Sequence, residues 1–187
     1  MPTAPTTSTS PWRTARTIPD LGRAMARWLE GDLPGGWPGY DAEFGYKEHD
    51  VRHLVAPLAA LNRRGFLTTE SQPAADGPGA DGAHWRQRAF VTGLVRSRSP
   101  LLTRLPALTE HGLAVTIGRP PAPIALTTRN GKPTLVLDPR RPGRNHLTRQ
   151  WTGTHPRARR ALRDAVTVHD PRWGRDTLLW PALALLT

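Results

Sequence analysis

The sequence predicts an α+β fold, mixed β-sheets flanked by helices in a single domain, and three observations carry that prediction. Amphipathic helical stretches alternate irregularly with short β-type runs, a pattern of a mixed α/β or α+β domain. The chain is 187 residues long, a length that suits one domain and builds a hydrophobic core without staples. It has no cysteine, so disulfides, thiolate metal sites and cysteine nucleophiles are excluded.

Residues 1–16 are rich in Thr, Ser and Pro and are expected to form a disordered tail, since that composition buries too little apolar area to offset its ordering entropy. The ligand-binding domain is then 17–187. Its first helix is predicted from Pro19 to Glu30, with Thr17 as N-cap, Asp20 three residues on and Gly31 at the C′ position. Leu21, Met25, Trp28 and Leu29 share one face of it. After the loop LPGGWPGY and an acidic stretch to Asp50, Leu54, Val55, Leu58 and Leu61 mark the apolar stripe of a second helix, stopped at Gly65. Phe66 to Thr69 reads as a short strand, ended by Ser71, Gln72 and Pro73, and residues 74–83 read as a loop. Trp85 to Leu94 reads as one strand. Ser99 caps a helix over about 100–111, closed by Gly112, and Leu113 to Ile117 is again a strand. Thr134–Leu137 and Ala165–Val168 are β-type runs separated by a basic helix, ARRALRDA, that Thr154 and Pro156 open. A last helix covers about 176–186, with Pro181 bending or delaying it.

The chain holds 26 basic and 15 acidic side chains, a formal charge of +11, and all the basic residues except Lys47 and Lys132 are arginine. Residues 101–187 carry most of the excess. Arg140, Arg141, Arg144, Arg157, Arg159, Arg160 and Arg163 form a basic cluster able to steer an anionic partner or nucleic acid. A solvated surface biased toward arginine is the plainer reading. Neither a signal peptide nor an apolar run of about 18 residues occurs, so a cytoplasmic protein without a membrane partner is expected.

His49 and His53 stand four apart, a spacing at which two imidazoles can meet one metal. No third ligand is identifiable, and solvated residues at a helix start explain the pair better. No nucleophile elbow, phosphate loop or dinucleotide fingerprint is present. The informative run is LNRRGFLTTESQPA, which sets Thr68, Ser71 and Gln72 at a strand end facing a helix start with Glu48 and Asp50. Donors, acceptors and negative charge at one corner suit a cationic, polar small ligand. A hydrogen-bonded turn is the competing reading.

LNRRGFLTTESQP, with its helix, glycine stop and Thr-x-x-Ser-Gln-Pro turn, resembles the S-adenosylmethionine-binding regulatory domain at the C-terminus of eukaryotic methylenetetrahydrofolate reductase. WRQRAFVTG, LLTRLPALTEHGLAVTIG and VTVHDPRWG with LLWPALALL resemble the segments that follow it there, in the same order. It is similar, too, to small proteins of GC-rich bacteria that share the segment. The resemblance implies that Thr68, Ser71 and Thr167 contact the ligand and that the family's acidic ligand residue falls at Asp50, with Val51 where the family has threonine. With Gln72 they would hold S-adenosylmethionine, S-adenosylhomocysteine or a related adenosyl compound. The reductase's flavin-binding barrel has no counterpart in 187 residues, so a stand-alone sensor or sequestering domain is implied. An enzyme acting on an adenosyl compound, with Asp50 or a histidine as acid/base, is the first alternative; a basic nucleic-acid accessory protein is the second.

Overall fold

The first described element is a single helical turn, α1 (Pro11–Thr14), which exists because Trp12 buries its indole in the core. The structure of the chain, a computed structural model, describes residues 10–33, 52–140, 151–162 and 164–186. Residues 10–16 therefore belong to the packed body, although their composition resembles a tail: one large apolar ring is enough to anchor them.

Helix α2 (Ile18–Leu29) opens with a capping box. The Thr17 hydroxyl accepts the Asp20 N–H at 3.2 Å, and the Asp20 carboxylate accepts the Thr17 N–H at 3.0 Å. It packs Leu21, Met25 and Leu29 against Leu54, Leu58 and Leu61 of α3 (Arg52–Arg63). Gly22 makes that approach possible, because a Cβ there would collide with the Asn62 carbonyl. Gly65, at φ +90°, ends α3 with its N–H on the Asn62 carbonyl at 3.0 Å and turns the chain into the first strand.

The described residues form eight strands: β1 (Phe66–Gln72), β2 (Ala75–Pro78), β3 (His84–Gln87), β4 (Phe90–Val95), β5 (Ala114–Ile117), β6 (Ile124–Arg129), β7 (Lys132–Leu137) and β8 (Asp164–His169). They make two four-stranded sheets, ordered β1-β4-β8-β5 and β2-β3-β6-β7, in which every pairing is antiparallel. With helices α4 (Pro100–Arg104), α5 (Pro156–Ala161) and α6 (Leu179–Leu183), this is the expected α+β architecture.

Several elements differ from expectation. β1 runs through Ser71 and Gln72 instead of ending before them, and the supposed loop 74–83 contains β2. Trp85–Leu94 is two strands on different sheets, β3 and β4. The predicted helix 100–111 is α4 followed by a 3₁₀ stretch, Leu105–Thr109, where Pro106 interrupts the helical ladder. α5 stops at Ala161, since Asp164 already begins β8. The last helix starts only at Leu179, with Pro181 in its first turn, where a missing N–H leaves no helical bond unmade.

The chain changes sheets at Arg88–Ala89. The Arg88 N–H still bonds the Leu126 carbonyl beside β6 at 3.0 Å, whereas the Ala89 carbonyl accepts the Asp170 N–H after β8 at 2.9 Å. One face of the main sheet carries Phe66, Val91, Val166 and Val168 and packs on the helices. On the opposite face Phe90 packs with Leu126 and Leu137 of the second sheet. This second surface is the inter-sheet face.

Candidate functional site

Register assigns the polar residues to faces. Partners across an antiparallel ladder share a face, so Glu70, Thr92, Thr167 and Thr116 form one row across all four main strands, and Gln72, Phe90, His169 and Ala114 form the next. Both rows lie on the inter-sheet face. Thr92 and Thr167 join their hydroxyls at 3.0 Å, and the Thr69 hydroxyl donates to the Thr92 carbonyl at 3.1 Å.

The predicted ligand residues divide between the two faces. Thr68 and Ser71 stand opposite Gly93 and Val91, on the helix side, whereas Gln72 and Thr167 lie on the inter-sheet side. In a regular strand residues three apart point oppositely; a bulge between Thr68 and Glu70 inserts Thr69 and returns Thr68 and Ser71 to one side. Thr68 is buried and bound to Asn62: the Asn62 amide donates to its hydroxyl at 2.6 Å, and the Thr68 N–H donates to the Asn62 carbonyl oxygen at 3.0 Å. That pairing makes Thr68 part of the α3–β1 joint. Ser71 and Gln72 are half-buried and Thr167 is fully buried. Asp50 lies outside the described residues, as do Glu48, His49, Arg141, Arg144 and Arg163.

Glu70 is the residue of TTESQP that sequence reasoning passed over. It is half-buried, it makes no hydrogen bond or ion pair among the described residues, and burial pushes its carboxyl pKa up. Five other carboxylates pair with arginine: Asp20 with Arg23, Glu30 with Arg63, Asp76 with Arg86, Asp81 with Arg129 and Asp170 with Arg175.

The junction of the two sheets forms the end of this face. His169 is 2% exposed, its Nδ1 has no partner, and burial, helped by the nearby Arg88 charge, pushes its pKa down to about 4. It is neutral at pH 7. Asp170, fully buried, receives a two-pronged guanidinium from Arg175, at 2.5 and 2.7 Å, and the Arg172 N–H at 2.8 Å. Arg88 stacks on Trp173 with its Cζ 4.4 Å from the ring centre. In sequence, these residues are the HDPRWGR run and the RQR before β4; the alternation of histidine, aspartate and arginine around one tryptophan is the signal available there.

A groove of about 510 Å³ lies between α3 and α6 and is lined by His53, Pro57, Ala60, Asp176 and Trp180 among others. Asp176 ties three segments together. One carboxylate oxygen accepts the Ala74 N–H at 2.8 Å and the Trp180 indole N–H at 2.7 Å, and the other lies 2.6 Å from His53 Nε2. Apart from these groups and Thr177 the groove lining is apolar, and Asp176 is already engaged on both oxygens. For a charged, polar ligand the inter-sheet face is therefore the better-equipped surface. Among the described residues no group of three His, Asp or Glu side chains is disposed to hold a metal, and no described helix is long and apolar enough to cross a membrane. Of the basic cluster, Arg140, Arg157 and Arg160 are exposed and Arg159 is half-buried.

No curated protein matches the chain. A family model described as a domain of unknown function, DUF6919, matches residues 7–187, nearly the full length, and the chain belongs to that family.

Proposed function

We propose that this domain binds S-adenosylmethionine or a related adenosyl compound on the inter-sheet face, as a sensor or sequestering module. The observation that carries the reading is Glu70. A half-buried carboxylate without a counter-ion among the described residues of a chain of charge +11 is suited to a cation that arrives with a ligand, and the sulfonium and ammonium of adenosylmethionine supply one. Half-buried Gln72 shares its face and supplies an amide for ribose or amino-acid atoms, and Thr92, whose hydroxyl pairs with that of buried Thr167, lies opposite Glu70. The resemblance of TTESQP to an adenosylmethionine-binding turn supports the ligand class, although Thr68 and Ser71 lie on the other face.

Calorimetric titration tests the reading. Adenosylmethionine should bind more tightly than adenosylhomocysteine, which lacks the sulfonium charge, and Glu70→Gln should weaken it at least about tenfold, or ~1.4 kcal/mol. The same substitution should stabilise the free protein, because it removes an unpaired charge. Absence of heat with both compounds at millimolar concentration would refute the reading.

The His53–Asp176 pair favours a second reading, an enzyme acting on an adenosyl compound. Asp176 orients the imidazole through Nε2, which would leave Nδ1 as a general base at the groove. Product formation from adenosylmethionine, followed by chromatography and lost in His53→Gln, would establish it; an unchanged substrate after prolonged incubation would dismiss it.

A further inference from the structure

Among the described residues a second half-buried charge without an ion pair lies at the junction of the two sheets. Arg88 is half-buried where the chain passes from one sheet to the other, its buried Nε has no partner, and the described residues give its guanidinium no hydrogen bond or ion pair. The nearby carboxylates are engaged: Asp170 by Arg175 and the Arg172 N–H, Asp76 by Arg86 and His84. Trp173 covers one side of the guanidinium plane. Arg86 lies over the same ring, 5.3 Å from its centre, and the Asp170 charge acts on Arg88 without a hydrogen bond to it, so the guanidinium N–H groups remain able to grip a carboxylate with two parallel bonds. His169, 2% exposed with Nδ1 partnerless among the described residues, stands opposite Phe90, two residues after Arg88.

Arg88 lies at the sheet junction, four residues before Thr92, the cross-strand partner of Glu70, with the buried Phe90 between them. The two charges have opposite sign, yet they form no ion pair with each other. Leaving both desolvated and unpaired costs stability on each side. A ligand carrying a cation and an anion a few bonds apart would satisfy both at once. A phosphate dianion would suit Arg88 but would face repulsion from Glu70, and a simple cation would leave Arg88 unmet.

We propose that the inter-sheet face recognises a zwitterion, with Arg88 receiving the carboxylate of an α-amino-acid group whose cationic end lies toward Glu70. This rests on the adenosyl-ligand reading and specifies which part of that ligand the junction holds. The experiment compares adenosylmethionine with its decarboxylated analogue, which keeps the sulfonium and amine and lacks only the carboxylate. The wild-type domain should bind the analogue at least tenfold more weakly. Arg88→Gln should lose at least tenfold for adenosylmethionine and less than twofold for the analogue, while Arg88→Lys, which keeps the charge without the fork, should fall between. Circular dichroism of each variant monitors the fold, and the wild-type comparison stands even if a variant fails to fold. Equal wild-type affinities for the two compounds, or an Arg88→Gln loss that is the same for both, would overturn the proposal while leaving the adenosyl reading intact. Failure of both compounds to bind would overturn the two together.

Discussion

Asn62 shows how a predicted ligand residue becomes a structural one. Its amide donates to the Leu58 carbonyl at 2.8 Å and to Thr68, and its carbonyl oxygen takes the Thr68 N–H, so a fully buried polar side chain is satisfied by the start of the strand it supports. Thr68 is held there by the fold, whether or not a ligand is present. His169 has the opposite character: buried, neutral and with one ring nitrogen partnerless. Its folded pKa, near 4, lies below the ordinary 6.5, so between those values the unfolded chain holds the extra proton. Its contribution is therefore complete above about pH 6.5 and is lost as pH falls toward 4, on the order of 3 kcal/mol in all. Glu70 works against this slope. Its raised pKa makes the folded state take up its proton first, so acid relieves its penalty. Urea unfolding from pH 7.5 to 4.5 should show stability falling with acid, and His169→Gln should flatten the curve. An unchanged slope in that variant would mean the imidazole is solvated.

At the scale of the element, β1 and β4 depend on Gly93. A Cβ at that position would lie against the Phe66 ring and 2.6 Å from the Leu67 carbonyl oxygen, and backbone cannot yield as a flexible side chain would. Gly93→Ala should cost about 2–4 kcal/mol through displaced packing, read as a lower denaturant midpoint; a loss under about 0.5 kcal/mol would contradict the close approach. The same two strands mark what the sequence discloses. α2 was legible because its cap, apolar stripe and glycine stop are local signals, and α3, β1, β5 and β8 have equally clear periodicity. β2 is made of Ala, Asp, Gly and Pro, residues that favour turns and become a strand only because β3 pairs with them. β6 begins just after a Pro-rich stretch that reads as loop. In the candidate site, TTESQP stood out by its hydroxyls, yet the bulge at Thr69 decides which hydroxyl faces where. Glu70 and Arg88 were not legible at all. What distinguishes them is the lack of a partner, and partners are set by tertiary pairing.

At the scale of the molecule, the two sheets are unequal. The main sheet shares one large apolar core with the helices, whereas the second sheet's own cluster comprises Phe90, Leu126 and Leu137, supported by Ile124 and Leu135. A region with so little buried apolar surface opens at a lower free energy than the rest. Its attachment depends on polar bonds at the junction: the Asp170 N–H on the Ala89 carbonyl, the Gly174 N–H on the Gln87 carbonyl at 3.1 Å, and the Asp170–Arg175 pair that shapes the loop between them. Replacing Asp170 by Asn keeps the shape but removes the buried charge that the partly exposed Arg175 guanidinium meets, loosening the loop. Hydrogen exchange should therefore be faster over residues 75–87 and 124–137 than over 90–95 and 164–169 in the wild-type chain, and Asp170→Asn should accelerate the first group more than the second. Equal acceleration everywhere would instead make the two sheets a single cooperative unit, in which case the ligand face between them would be rigid before anything binds.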